Sequence, residues 1–549
     1  MTKHGKDLQW LVVTVVAVSI LVFFSVTGFE FLNYDDHLIL YKNPAVLQFD
    51  LDTILTKQMA GDFIPLTLTT FALENYFFGL NPHVFHITNI LIHILNCVVV
   101  IFILYRLSNR DYLVTFLGSM AYTVCPLHVE SVAWITERKD VLYGFFFLAA
   151  LLSYLKYLDG KTNYYILSLI FLTLSLLSKS MAVTFPVILF LIDYLRNRTF
   201  KFVEKIPFFL LAVLMGLIQL NIQTRARVNP KPFDLFLALE NISKSLTFYV
   251  SKFIWPTKLA AYYDAAIVKF SVVDVSLTIL FLAMAIFIAL KSDLFVKRSI
   301  VFGIALFLIC IAPVLHGIPY GNGFIYADRY FYIPGLGLIF AFATTLSSHF
   351  KNDHHFSAKN ILRGSIPVFL ILTFISYGRV QVWANSEVLW EDVLENYPDT
   401  VFAFNNLGGY YLDKEKYDLA VETFEKSIIK NPNQTIYVNL GLSYLHLNRI
   451  TESIEAYKKA VAMDPPSDQA YFGLGNALFL SGDKKSALMA FQECVRVKPN
   501  NADAYYNMGL IYQEWNDLAL AKTYYEKTLS LNPKDPGAIQ NLGVIKKLE

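Results

Sequence analysis

The stretch FLNYDDHLIL, residues 31–40, sets two adjacent carboxylates, Asp35 and Asp36, just after the first long apolar run. An aspartate, with an ordinary pKa of about 3.9, is ionised at neutral pH, and one beside a hydroxyl can take its proton. The same pair could instead cap a short following helix. Further charged groups flank the other apolar runs: His128 and Glu130, Arg138, Lys179, Arg225 and Arg227, Asp264, and Asp328 with Arg329. Cations placed where a leaving group gains charge stabilise it. Ionisable groups at membrane depth are costly, which makes them functional candidates. Together they suggest a reaction centre at a membrane surface.

The histidines read differently. His86, Asn89, His93 and Asn96 fall at i, i+3, i+7 and i+10, one polar stripe along a helix. Such a stripe commonly hydrogen-bonds between helices; with His128 and Glu130 it could also bind a metal, and no metal site is assigned. Cys97, Cys125 and Cys310 lie in apolar runs and Cys494 stands alone, so neither a zinc spacing nor a disulfide framework can be built.

The elements that must hold these groups are membrane helices. The chain of 549 residues is 55% hydrophobic and 16% charged, with a mean hydropathy of +0.45, whereas soluble domains are about 45–50% apolar and about 25% charged. The net charge of +2 gives no sign of a polyanionic partner such as nucleic acid. It conceals a split: residues 1–380 carry 30 Lys+Arg against 22 Asp+Glu, and residues 381–549 carry 16 against 22. Eleven apolar segments can cross about 30 Å of hydrocarbon: 9–29, 84–107, 112–128, 140–158, 163–179, 180–195, 206–222, 272–290, 299–316, 329–348 and 362–379. The first is read as an uncleaved span, because SVTGFEF lacks a small-x-small cleavage site. Segment 235–254, with Glu240, Lys244 and Lys252, reads as an interfacial or re-entrant helix.

Eleven spans with the N-terminus inside put the short basic segments in the cytoplasm, as the positive-inside rule requires. These include Arg196, Arg198, Lys201 and Lys205, and Lys291, Lys297 and Arg298. All the candidate site residues then fall on the extracytoplasmic side.

Behind residue 398 the sequence repeats. Leu407-Gly408, Leu440-Gly441, Leu474-Gly475, Met508-Gly509 and Leu542-Gly543 recur at 33, 34, 34 and 34 residues. Small residues (Ala420, Ser453, Ala487, Ala521), aromatics (Phe424, Tyr457, Phe491, Tyr525) and closing prolines (Pro432, Pro465, Pro499, Pro533) keep the same register. This resembles the tetratricopeptide repeat, paired helices stacked as a solenoid. Four repeats over 399–549 end in a packing helix, and 381–398, with Trp390 and Pro398, reads as a half-repeat linker. The fold class is therefore all-α. Arrays of this kind present extended surfaces for peptides or proteins.

Several membrane stretches then match one family in order: NYDDHLILYKNPAV, NPHVFHITNILIHILN, CPLHVESVAWITERKDVLYGFFFL, SLLSKSMAVTFPVILFLIDYL and YADRYFYIPGLGLIF. With the repeats behind them, the chain resembles the transmembrane and tetratricopeptide-repeat-containing O-mannosyltransferases of the GT-C glycosyltransferase superfamily, over essentially its whole length. The resemblance implies a GT-C-like domain over 1–380 that moves mannose or a similar hexose from a polyprenyl-phosphate donor to Ser or Thr of a protein. It implies no cofactor. Fewer repeats than in animal members imply a bacterial or archaeal cytoplasmic membrane (the ER membrane in a eukaryote), with the repeats outside. Lys179-Ser180 replaces the family's Lys-Glu, which puts a second acid there in doubt, and Asp328-Arg329 replaces Glu-Arg with the charges kept.

On this resemblance the acidic pair is catalytic, with Asp36 favoured as base and Asp35 as its neighbour. Arg329, Arg138 and Lys179, with Arg225 behind them, are expected on the donor phosphate, where arginine grips bidentately and lysine acts as a point charge. His128, Glu130, Asp328 and His93 are expected in support. Partners are then the lipid-linked donor, a protein acceptor on the repeats, and membrane lipid. The rival readings are a membrane-anchored repeat scaffold and a polysaccharide polymerase or ligase. So many spans with charges gathered on one face exceed an anchor's needs, and the large late periplasmic loop of a polymerase or ligase is missing.

Overall fold

Backbone N–H and C=O groups have no water to bond in hydrocarbon, so the apolar runs must satisfy them internally as helices. A computed structural model describes residues 3–56, 63–226, 234–264, 272–315, 326–352 and 358–548, and among these it has no strand. Two compact units divide between Pro398 and Asp399.

In the first unit the helices are α1 Lys3–Phe23, α2 Pro65–Phe78, α3 Pro82–Leu107, α4 Tyr112–Thr123, α5 Arg138–Leu158, α6 Tyr164–Ser178 and α7 Phe185–Leu195. They continue as α8 Ile206–Ala226, α9 Leu235–Ile254, α10 Val272–Lys291, α11 Leu294–Ile311, α12 Gly335–Asn352, α13 Ala358–Gln381 and α14 Ser386–Asn396.

Over its described residues each of the eleven apolar segments is mostly helical. Among the described residues seven helices are long and apolar enough to cross a membrane. Helix α4 and Pro126–Ala133 are apolar enough together, either as one broken span or as a re-entrant pair, and are bent by 50° where Pro126 has no N–H to continue the helix. The segments around α6, α7 and α12 are shorter apolar helices, and α9 is not among the candidate spans. Consecutive helices pack as neighbours, α5 against α6 and α11 against α12. Gly303 and Gly337 let α11 and α12 touch, since a Cβ on either would strike the other's carbonyl oxygen, the small-residue contact of membrane helices.

The segment after the acidic pair is no solvated loop. Its short helices bury Ile39, Leu40, Val46 and Ile54 against Leu68 and Phe71 of α2 and Phe85 of α3. The stretch 381–398 contains α14, whose Leu389, Trp390 and Val393 are buried, and it belongs to the first unit.

In the second unit four helix pairs and a last helix, Pro536–Leu548, follow the repeat register. The marker glycines face the conserved-register aromatics: a Cβ on Gly441 would lie 2.8 Å from the Tyr457 ring, and one on Gly509 2.7 Å from Tyr525. Asparagines of the first helices link successive repeats, Asn439 to Asn405 (3.2 Å) and Asn507 to Asn476 (2.9 Å).

Candidate active site at one end of the bundle

The candidate residues lie near the ends of α1, α4 and α6 and the starts of α3, α5 and α12 along the chain, and several of them meet in space. Asp36 is completely buried. Its Oδ2 accepts the Leu32 N–H (2.8 Å) and its Oδ1 the Trp134 indole N–H (3.0 Å). Burial pushes the carboxyl up to about 7, against the opposing pull of these donors. The side chain caps no helix. Asp35 differs: its backbone carbonyl starts the next turn by accepting from Leu38 and Ile39 (both 3.0 Å), and its side chain is only half-buried. The neighbouring Tyr34 lies flat on Trp134, centroids 4.4 Å apart, within electrostatic reach of Arg329, Asp35 and Glu130.

Trp134 joins this acidic loop to a network of buried charges. The Arg329 guanidinium stands 5.6 Å from its ring. Arg329 pairs with Glu130, its own backbone N–H donates to the same carboxylate (2.9 Å), and its Nε lies 3.4 Å from Glu137. Lys179, at the end of α6, pairs with Asp140 and stands 3.8 Å from Glu137 on that carboxylate's other oxygen. Lys139 adds a third cation, 3.1 Å from Glu137. Three carboxylates thus hold three cations away from water, where an unpaired charge would be very costly. Such a network fixes Arg329 and Lys179 on either side of Glu137, under the ring of Tyr330 (5.0 and 5.6 Å).

Other expected residues stand apart from that pair. Arg138 is fully buried and turned toward α2 and α3. It binds Glu74 (2.7 Å), Asn89 (2.8 Å), the Phe85 carbonyl (2.9 Å) and Thr70 (3.4 Å), with its plane 4.3 Å from the Phe71 ring. The structure does not bring it to Arg329 or Lys179. Asp328 accepts the Tyr263 hydroxyl (2.7 Å) beside the network, and burial raises its carboxyl, with Glu130 adding to the rise and Arg379 opposing it. His93 shares the Tyr332 hydroxyl (2.8 Å) with Asn96 (2.9 Å), and His128 bonds the Tyr122 carbonyl (2.9 Å) against the Tyr332 ring (4.9 Å). The polar stripe therefore ties helices together, and among the described residues no three His, Cys, Asp or Glu side chains gather as a metal set. The side chain of Arg225 and the whole of Arg227 lie outside the described residues.

Glu137, Asp140, Lys139, Trp134 and Tyr34 are site residues that the sequence did not single out. The signal was available in ITERKD, where Glu137 and Asp140 at i, i+3 share one helix face.

A many-span helical unit carrying an acid loop beside a paired-cation network, and continued by a solenoid, defines a membrane protein of two-part build. Tetratricopeptide-repeat models match residues 403–428, 441–482, 475–514 and 502–535. The chain is 25% identical over 451 residues to the protein O-mannosyl-transferase TMTC3 of Homo sapiens, covering 73% of this chain and 48% of that one. It is 25% identical over 435 residues to the protein O-mannosyl-transferase F38B6.6 of Caenorhabditis elegans, covering 72% and 59%. A crystal structure of the MamA protein is 30% identical over 27% of this chain and 82% of its own, with a TM-score of 0.26. The chain spans about half the length of the curated relatives it matches. Over about 73% of its length it is similar to the transmembrane and tetratricopeptide-repeat-containing O-mannosyltransferases.

Proposed function

We propose that this chain moves mannose or a similar hexose from a polyprenyl-phosphate donor to a Ser or Thr hydroxyl of a protein on the extracytoplasmic side. The observation that carries this reading is the junction at Trp134, which holds an acidic loop on one edge and the Arg329 cation on its face. In the reaction the acceptor hydroxyl loses its proton to a carboxylate as its oxygen bonds the sugar's anomeric carbon. The bond from that carbon to the donor phosphate breaks, and the departing polyprenyl phosphate keeps the electron pair. Arg329 and Lys179 stabilise the charge it gains.

The two acids then divide the work in the reverse of the sequence-based preference. Asp36 has both oxygens engaged and no exposed surface, so it shapes the loop. Asp35, half-buried, is the proton acceptor. Glu130, Glu137 and Asp140 hold the cations in place, and Asp328 holds the neighbouring segment. The solenoid recruits the acceptor, the setting is a bacterial or archaeal cytoplasmic membrane, and the reaction uses no cofactor.

The test is transfer by the purified chain in vesicles, supplied with polyprenyl-phosphate mannose, glucose or galactose and a secreted protein with flexible Ser/Thr segments. Mass spectrometry should find single hexoses on Ser or Thr with at least one donor. Acceptor left unmodified by all three would overturn the reading.

A further inference from the structure

Helix α14, the last element of the first unit, touches both halves of the site. The Ala384 carbonyl just before it accepts the Glu30 N–H (3.0 Å), and the Ser386 hydroxyl accepts the Asn33 N–H (2.9 Å). One turn on, the Trp390 indole N–H donates to Asn33 Oδ1 (2.7 Å), and the ring meets Tyr34 edge-on at 5.1 Å. Just past the helix, Tyr397 packs on Tyr263 (5.7 Å), whose hydroxyl donates to Asp328. These partners are some 350 positions apart in sequence for the Asn33 contacts.

We propose that Trp390 is a positioning residue for sugar transfer, acting through Asn33 to hold the loop that presents Asp35. The proposal rests on the sugar-transfer reading above. Residues 29–35 belong to no helix or strand, so their path is set by what they touch. One flank is fixed by Trp134 bonding Asp36, the other by α14 bonding Glu30 and Asn33. Trp390 is completely buried, and an indole N–H in such surroundings needs its acceptor. Removing either partner breaks this hydrogen bond and frees the loop from α14 at that point. Asn33 lies two residues from Asp35, so freedom at Asn33 becomes misplacement of that carboxylate, and small misplacements of a reacting group slow transfer. Donor binding at Arg329 and Lys179 does not pass through this contact.

The experiment uses the full chain in vesicles and compares wild type, Trp390→Phe, Asn33→Ala and the double variant. Four quantities are read: kcat and donor KM for transfer, polyprenyl-phosphate binding, and amide hydrogen exchange. Each single variant should lower kcat by about 5- to 150-fold, the range for losing a buried hydrogen-bond partner, with donor KM and binding unchanged. Exchange should quicken over 30–38 and stay as in wild type along α3 and α5. The double variant should lose no more than the worse single, because both act through one contact. Unchanged kcat, losses that multiply, unaltered exchange at 30–38, or exchange quickened throughout the spans would each overturn the proposal. If Trp390→Phe does not fold, Asn33→Ala alone decides by the same readings. Absence of transfer by the wild type would instead defeat the function reading, and the exchange result would still judge the anchor.

Discussion

Replacing each acid of the pair by its amide separates proton acceptance from loop shaping. Asp35→Asn preserves size and the backbone carbonyl that starts the following turn, but removes the basic site. General-base catalysis is typically worth about 10²–10⁴-fold, so kcat should fall by that factor with donor KM unmoved. Asp36→Asn acts on structure. Its two oxygens accept one backbone and one indole N–H at 2.8 and 3.0 Å, and an amide can accept only one of them without turning its NH₂ toward the other. Above about pH 7, where Asp36 is ionised, a hydrogen bond to its charged carboxylate contributes about 1.5–3 kcal/mol. At about 1.4 kcal/mol per tenfold, one lost bond lowers occupancy of the working loop by about 10- to 150-fold. The two variants also part in the loop itself: hydrogen exchange at 30–38 should quicken in Asp36→Asn and not in Asp35→Asn. The assay is single-turnover transfer from a radiolabelled polyprenyl-phosphate sugar, with exchange on the same preparations. An Asp35→Asn enzyme within twofold or so of wild type, beside an inactive Asp36→Asn with a normal loop, would refute this division and return the base to Asp36.

Three further outcomes follow from the same geometry. Arg138→Met removes one member of a buried pair and strands Glu74, which should destabilise the first unit by about 3–5 kcal/mol; Tm in detergent should drop while polyprenyl-phosphate affinity of the folded fraction stays constant. Asp36 is raised from its ordinary 3.8 to about 7, so the folded state binds the proton more tightly. Its stability contribution is full below 3.8 and lost as pH rises through about 7, and Asp36→Asn should flatten that part of the Tm-against-pH curve relative to wild type. Deleting 399–549, the second compact unit, should leave polyprenyl-phosphate binding intact and abolish transfer to protein; full transfer by the truncated chain would reduce the repeats to a spacer.

The large architecture was legible because it is written in periods. Apolar runs of span length and a marker pair every 33–34 residues each impose one solution, and the glycine facing Tyr457 or Tyr525 is the physical reason the marker recurs. The acidic loop was legible because two carboxylates beside an apolar run are expensive. Orientation was not. Glu137, Arg138 and Asp140 are near neighbours in sequence, yet successive helical residues point about 100° apart. Glu137 and Asp140 therefore meet Lys179 while Arg138 turns to Glu74 and Asn89. Nor could the sequence rank Asp35 against Asp36, since the ranking depends on Trp134, about a hundred positions away. The stretch 381–398 was read with the repeats from Trp390 and Pro398, whereas that tryptophan reaches back to Asn33 in the membrane unit.

The most direct measurement is a density map of the full chain with a non-transferable polyprenyl-phosphate sugar bound. The phosphate should lie against Arg329 and Lys179, with the anomeric carbon facing Asp35. A phosphate seated instead by Lys205, beside Asp193, or no density near Arg329 at saturating donor, would contradict the proposed site.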